Sequence, residues 1–164
     1  MPKLQTITPC LWFDGQAEAA VTFYTGIFKS SKITSVSRYT EAGKEFHGRT
    51  PGSVMVMAFE IEGQSFTALN GGPMFKFTEA ISFQIHCDTQ DEIDYYWEKL
   101  TSDGGQESMC GWLKDKYGLS WQVVPSILPE LFRNDETGNK VLQAVMQMRK
   151  LDLATMQKAA EGRS

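Results

Sequence analysis

The chain has 164 residues, 41% of them apolar and 22% charged, with a formal net charge of −4. At roughly 100 to 200 residues per domain this is a single domain, or two small halves that share a core, and the composition excludes intrinsic disorder and collagen-like repeats. Lys and Arg are spread along the chain with no basic block, which argues against nucleic acid as a partner.

Residues 7–13 alternate, with Ile7, Leu11 and Phe13 on one face and Thr8, Cys10, Trp12 and Asp14 on the other, which predicts a strand with two unlike faces. Residues 15–28 place Ala19, Ala20, Phe23, Tyr24, Ile27 and Phe28 at helical spacing, with Gly15 as N-cap. Strands are predicted over 32–39, 53–61 and 64–69, with Met55, Met57 and Phe59 as a core face and Glu62-Gly63-Gln64 as the turn between the last two. Residues 41–52 read as an exposed loop in which His47 is a solvated side chain.

Near residue 79 the pattern restarts. An offset of 74 pairs Ile7 with Ile81, Asp14 with Asp88, Gln16 with Gln90 and Glu18 with Glu92. Ile81, Phe83, Ile85 and Cys87 form an apolar face, Ser82, Gln84, His86 and Asp88 a polar one, and Thr89 with Glu92 forms a capping box before the next helix. A second offset, of 55, lays Gly63-Gln-Ser-Phe over Gly118-Leu-Ser-Trp. Agreement of strand faces, helix start and final strand predicts a duplicated strand–helix–strands unit: module one over 5–72, module two over 79–125, and a helical tail over 126–160, all within one domain. In the tail, helices are expected over 127–132, 139–150 and 152–160, with Val141, Leu142, Val145, Met146 and Met148 as an apolar packing stripe.

Three cysteines occur, Cys10, Cys87 and Cys110, with no CxxC spacing, so neither a disulfide framework nor a zinc knuckle is expected and a reducing compartment fits. The opening MPKLQTITPCLWF lacks a continuous apolar stretch and is unlike a secretory signal. No apolar run approaches the roughly 20 residues that span a bilayer. The expectation is a cytoplasmic protein with no membrane partner.

The apolar face of each module's first strand is too hydrophobic to be left wet and is expected against the module's own helix. The polar faces then place Thr8, Cys10, Trp12, Ser82, Gln84 and His86, joined by Thr67 and Gln122 from the final strands, as candidate pocket residues for a small molecule. Cys10 and His86 together raise the chemistry of an activated thiol, although packing and strand-end roles are the commoner ones. Trp12 offers a stacking wall for a planar ligand or an ordinary core aromatic.

The doubled pattern resembles the vicinal-oxygen-chelate superfamily, which includes glyoxalase I, extradiol dioxygenases and the fosfomycin and bleomycin resistance proteins. ITPCLWFDGQAEAAVTFY (7–24), CDTQDEIDYYWEKL (87–100), CGWLKDKYGLSWQVVP (110–125) and VMQMRKLDLATMQKA (145–159) resemble its PhnB-like branch, some of whose members carry the label 3-demethylubiquinone-9 3-methyltransferase. The resemblance implies an α+β fold of paired βαβββ modules forming a cupped mixed sheet, with C-terminal helices, and a homodimer.

Metalloenzymes of the superfamily hold a divalent ion with His or Gln on each module's first strand and Glu on its last. The resemblance carries those places to Thr8, Thr67, Ser82 and Gln122, a set without imidazole or carboxylate and so a poor site for a divalent metal. No metal and no other cofactor are expected. A methyl donor needs a Gly-rich turn that opens a helix. The glycine pair Gly71-Gly72 runs instead into Pro73-Met74-Phe75. The leading expectation is a metal-independent binding protein for an aromatic or hydrophobic small molecule, as the bleomycin resistance proteins are. The alternatives are an enzyme of the same fold with altered site residues, whether lyase, dioxygenase or the labelled methyltransferase, and a non-catalytic dimeric interaction protein.

Overall fold

A computed structural model describes residues 5–162, which divide into two compact units between Lys76 and Phe77. The first contains β1 (Cys10–Phe13), α1 (Ala17–Ile27), β2 (Ser31–Arg38), the single turn α2 (Lys44–His47), β3 (Val54–Ile61) and β4 (Gln64–Asn70). Its sheet runs β1-β4-β3-β2, with β1 parallel to β4 and the other pairs antiparallel. The β3–β4 hairpin closes through Glu62 and Gly63, both at positive φ, the backbone that matches the twist of paired strands.

One face of this sheet is the core. Leu11, Phe13, Met57, Phe59, Phe66 and Ala68 are buried there together with Ala17, Ala20, Val21, Tyr24 and Ile27 of α1, and Tyr24 stacks on Phe59 with ring centroids 6.4 Å apart. The helical stripe differs from the expected one by including Ala17 and Val21 and leaving Ala19 exposed. The reason lies at the cap. Gly15, at φ 81, only turns the chain, and Gln16 is the N-cap without a side-chain bond. The Ala17 N–H donates to Oδ1 of the buried Asn70 at 2.9 Å, and Asn70 Nδ2 donates to the Val54 carbonyl at 3.0 Å. A β4 side chain therefore starts the helix.

The first strand begins later than the alternation suggested. Pro9 has no N–H for a ladder, so only its carbonyl joins β4, accepting from Thr67 N–H at 2.9 Å, and Ile7 and Thr8 lie exposed ahead of β1. β2 is an edge strand exposed on both faces from Lys32 onward, and it carries two register shifts. Such irregularities blunt an edge. His47 is no solvated loop residue. It ends α2 half-buried, its Nδ1 accepts from Arg49 N–H at 2.9 Å, and its Nε2 lies 3.3 Å from the Ala42 carbonyl.

The second unit repeats the order with β5 (Ser82–Cys87), α3 (Gln90–Thr101), β6 (Gln106–Glu107), β7 (Trp112–Lys114) and β8 (Ser120–Pro125), in a sheet β5-β8-β7-β6 with β5 parallel to β8. Thr89 and Glu92 form the expected capping box. Cys10 lies opposite Thr67 in the first sheet and Gln84 opposite Gln122 in the second, the registers that the offsets of 74 and 55 require. Ile85, Cys87, Leu113, Trp121 and Val123 are buried with Ile93, Trp97 and Leu100 of α3. Ile81 precedes the strand and is exposed, and Phe83 is half-buried, its ring 5.6 Å from that of Trp121.

The KDKYGLSW stretch owes its form to Asp115. Its buried carboxylate accepts from Tyr117 N–H at 2.9 Å, Leu119 N–H at 3.1 Å and Trp121 Nε1–H at 2.9 Å, which holds the β7–β8 connection closed around Gly118, at φ 85.

The chain continues into α4 (Leu128–Leu131), α5 (Asp135–Val145) and α6 (Leu153–Ala160). Asn134 caps α5 through Glu136 and Thr137 N–H, so the helix starts and ends earlier than the stripe implied, and Leu142 and Met146 face outward. Val141, Val145, Leu151 and Met156 pack with Leu131 around Val124 of β8. Residues 148–149 lie beside the β7 entry, where Cys110 and Gly111 N–H donate to the Met148 and Arg149 carbonyls at 2.7 and 2.8 Å. Gly111, at φ 82, has no room for a Cβ, which would fall 2.8 Å from the Val123 carbonyl. Among the described residues, no helix is long and apolar enough to cross a membrane.

Candidate functional site

The face of each sheet turned from its helix is where the candidate residues fall, and each unit presents its own set. In the first, the registers put Cys10, Thr67 and Ala58 in one row across β1, β4 and β3, and Trp12, Leu69 and Val56 in the next. Cys10 is exposed and Thr67 and Trp12 are half-buried. Thr8 lies before the strand, its hydroxyl 3.5 Å from the Gln5 carbonyl, and is not in these rows.

Trp12 is held by its own unit. Its Nε1–H donates to the Gly72 carbonyl at 2.7 Å, and its ring meets Phe75 edge-on with centroids 4.8 Å apart. A Cβ at Gly71 would collide with the indole. The glycine pair therefore serves this packing. It opens no helix, and Arg49 closes over Gly72, so these residues do not fit the cradle of a nucleotide methyl donor.

In the second unit, Gln84, Gln122 and Trp112 form one row and Ser82, Ser120 and Lys114 the next. Gln122 Nε2 donates to the Ser82 hydroxyl at 2.8 Å, and Gln84 Nε2 donates to Gln122 Oε1 at 3.4 Å. His86 and Gln84 are exposed on this face. Over β6 and β7 lies a cavity of about 190 Å³ lined by Trp112, Lys114, Gln106 and Ser120. Lys114 pairs with Glu79 and holds its carboxyl below the usual carboxylate range. The Ser120 hydroxyl is buried without a hydrogen-bond partner. Cys110 beside Gly111-Trp112 reads from the sequence as a strand start or a pocket rim, whereas Lys114 and Glu79 were missed, because β7 is too short to show an alternation and Glu79 precedes β5.

Cys87 lies on the core face, where burial above all, with the nearby Glu92 and Asp88 charges, pushes its thiol up to about 12. The donors at the places that would hold a metal, Ser82 and Gln122 in one unit and Thr67 in the other, are neutral, and they do not fit a divalent ion. Among the described residues, no group of three or more His, Cys, Asp or Glu side chains could hold a metal.

Residues 5–124 match the family model described as 3-demethylubiquinone-9 3-methyltransferase. The chain belongs to this family. It is 39% identical to the PhnB protein of Bacillus cereus, over 74% of this chain and 99% of that one, with a TM-score of 0.65. A Pseudomonas aeruginosa protein at 17% identity, covering 75% of this chain and 98% of its own, has a TM-score of 0.57. The fosfomycin resistance protein FosX of Listeria monocytogenes, at 13% identity over 78% and 98% of the two chains, has a TM-score of 0.53. At these identities the last two show the fold alone, an α+β fold. No curated protein matches the chain.

Proposed function

We propose that this PhnB-family chain is a metal-independent binding protein for an aromatic or hydrophobic small molecule, taken up on the open faces of its sheets. The observation that carries this reading is the Gln122–Ser82 hydrogen bond at 2.8 Å. It occupies two of the places where metalloenzymes of the superfamily hold an ion, and each unit presents an open face of its own, with Trp12, Cys10 and Thr67 in the first and Trp112, Gln84 and His86 in the second, an aromatic wall with a few polar groups being the composition of a small-molecule site. Neutral hydroxyls and amides orient a ligand by hydrogen bonds.

A thermal-shift screen of aromatic metabolites on the metal-stripped protein tests the reading, since a ligand at 100 times its Kd adds about 2.7 kcal/mol to stability. A hit lost in Trp112→Ala or in His86→Ala supports it. Hits that require an added divalent ion go against it.

We also propose a homodimer in the cytoplasm. Its support is β2, whose Ile33 and Val36 are 45% and 44% exposed on an open sheet edge, a surface that association covers. Light scattering at micromolar concentration that reports a single-chain mass overturns it.

A further inference from the structure

The first unit contains a cavity of about 430 Å³ where the end of β2 and the 48–53 loop meet the start of α1. Two arginines are among its lining residues, Arg38 and Arg49, and the Arg49 guanidinium reaches over Gly72. Arg38 donates from Nη1 to the Gly52 carbonyl at 2.9 Å. The Arg49 side chain is half-buried and makes no hydrogen bond or ion pair among the described residues. Neither arginine has a carboxylate partner, although the other arginines in the described residues, Arg133 and Arg149, both do.

The cavity is built on fixed backbone. Tyr39 donates its hydroxyl to the Asn70 carbonyl at 2.7 Å, and its ring lies 4.6 Å from that of His47. His47 in turn accepts the Arg49 backbone N–H at 2.9 Å. Tyr39 and the loop also exchange backbone bonds, from Tyr39 N–H to Ser53 at 2.9 Å and from Gly52 N–H to Tyr39 at 2.8 Å. Arg49 is thus presented by a closed loop, which cuts the ordering cost of binding. One acid, Glu18 in the first turn of α1, borders the cavity, so its charged lining carries a net single positive charge.

A half-buried guanidinium without a counter-charge is costly to keep empty, and its planar fork matches the two oxygens of a carboxylate or phosphate. We propose that Arg38 and Arg49 form a binding site for the oxyanion group, phosphate or carboxylate, of a small molecule. Thr50, on the same wall, adds a hydroxyl donor.

Calorimetric titration with inorganic phosphate and, separately, with succinate, each against sodium chloride at matched ionic strength, tests the site and separates the two oxyanion classes. Saturable binding of either probe is expected, weakened at least tenfold in Arg49→Gln and in Arg38→Gln. Arg49→Lys, which keeps the charge and loses the fork, is expected to bind more weakly than the parent. Glu18→Gln, at an exposed position, is expected to tighten binding and keeps the proposal testable if an arginine variant misfolds. No saturable binding of either probe, binding equal to that of chloride, or binding unchanged in Arg49→Gln and Glu18→Gln overturns it.

Discussion

Gln122 and Ser82 sit diagonally across the paired strands β8 and β5, and the glutamine amide donates to the serine hydroxyl at 2.8 Å. The bond takes up a lone pair of Ser82, and the Gln122 Oε1 that a divalent ion would need accepts from Gln84 Nε2 at 3.4 Å. Gln122→Met, close in volume, removes this bond and keeps the fold. Urea unfolding is expected to show a loss of about 0.5 to 1.5 kcal/mol, and a loss well above 3 kcal/mol would mean that the pair is a core element and no part of an open face.

Asp115 is the sharper stability test. Asp115→Ala strips an acceptor from two backbone N–H groups and from the Trp121 indole, and stranded buried donors cost about 1 to 3 kcal/mol each. A destabilisation of about 3 kcal/mol or more is expected by denaturant titration. Asp115→Asn, which keeps one carbonyl oxygen, is expected to fall between the two.

The strand faces separate stability from binding. Leu11, 6% exposed against α1, is expected to cost about 2 to 5 kcal/mol as Leu11→Ala. His86 is exposed, and His86→Ala is expected within about 0.5 kcal/mol of the parent. Phe83→Ala, half-buried at the sheet edge, is expected to cost less than Leu11→Ala. Reversed unfolding midpoints for the Leu11 and His86 variants would put the register one residue out.

The thiols are expected to differ in the same way. Cys10 is exposed and Cys87 buried, so Ellman's reagent is expected to label Cys10 in the native protein and Cys87 only on unfolding. A buried thiol raised to about 12 from an ordinary 9.0 favours folding fully below pH 9. That contribution is lost as pH rises from 9 toward 12, because the unfolded chain releases the proton first. The slope from this group is at most about 1.4 kcal/mol per pH unit. Cys87→Ala is expected to flatten the alkaline fall in stability, and an unchanged fall would place its cause elsewhere.

Much of the fold was legible because period-2 faces and a capping box are local. Leu11 and Phe13 against Cys10 and Trp12, and Thr89 with Glu92, needed no distant information. What escaped depends on residues far apart in sequence. Asn70 starts α1 from β4, the indole of Trp12 is fixed by Gly72, and Arg49 is presented through Tyr39 and His47. Lys114, in the cavity over β6 and β7, escaped for another reason. Trp112 and Lys114 sit on a three-residue strand entered through Cys110 and Gly111, both at positive φ, and no alternation survives such a bend. In the tail, the Asn134 cap starts α5 at Asp135, earlier than the apolar stripe alone implies, and Leu142 and Met146 of that stripe fall outward. The residue types at the metal-holding places were readable at once, since a neutral donor set is a property of the sequence.

The most direct test of metal independence is elemental analysis of the protein after chelation and dialysis against zinc, nickel or manganese. Far less than one ion per chain is expected, with no change in Gln122→Ala. About one ion per chain, lost in Gln122→Ala, would contradict the account.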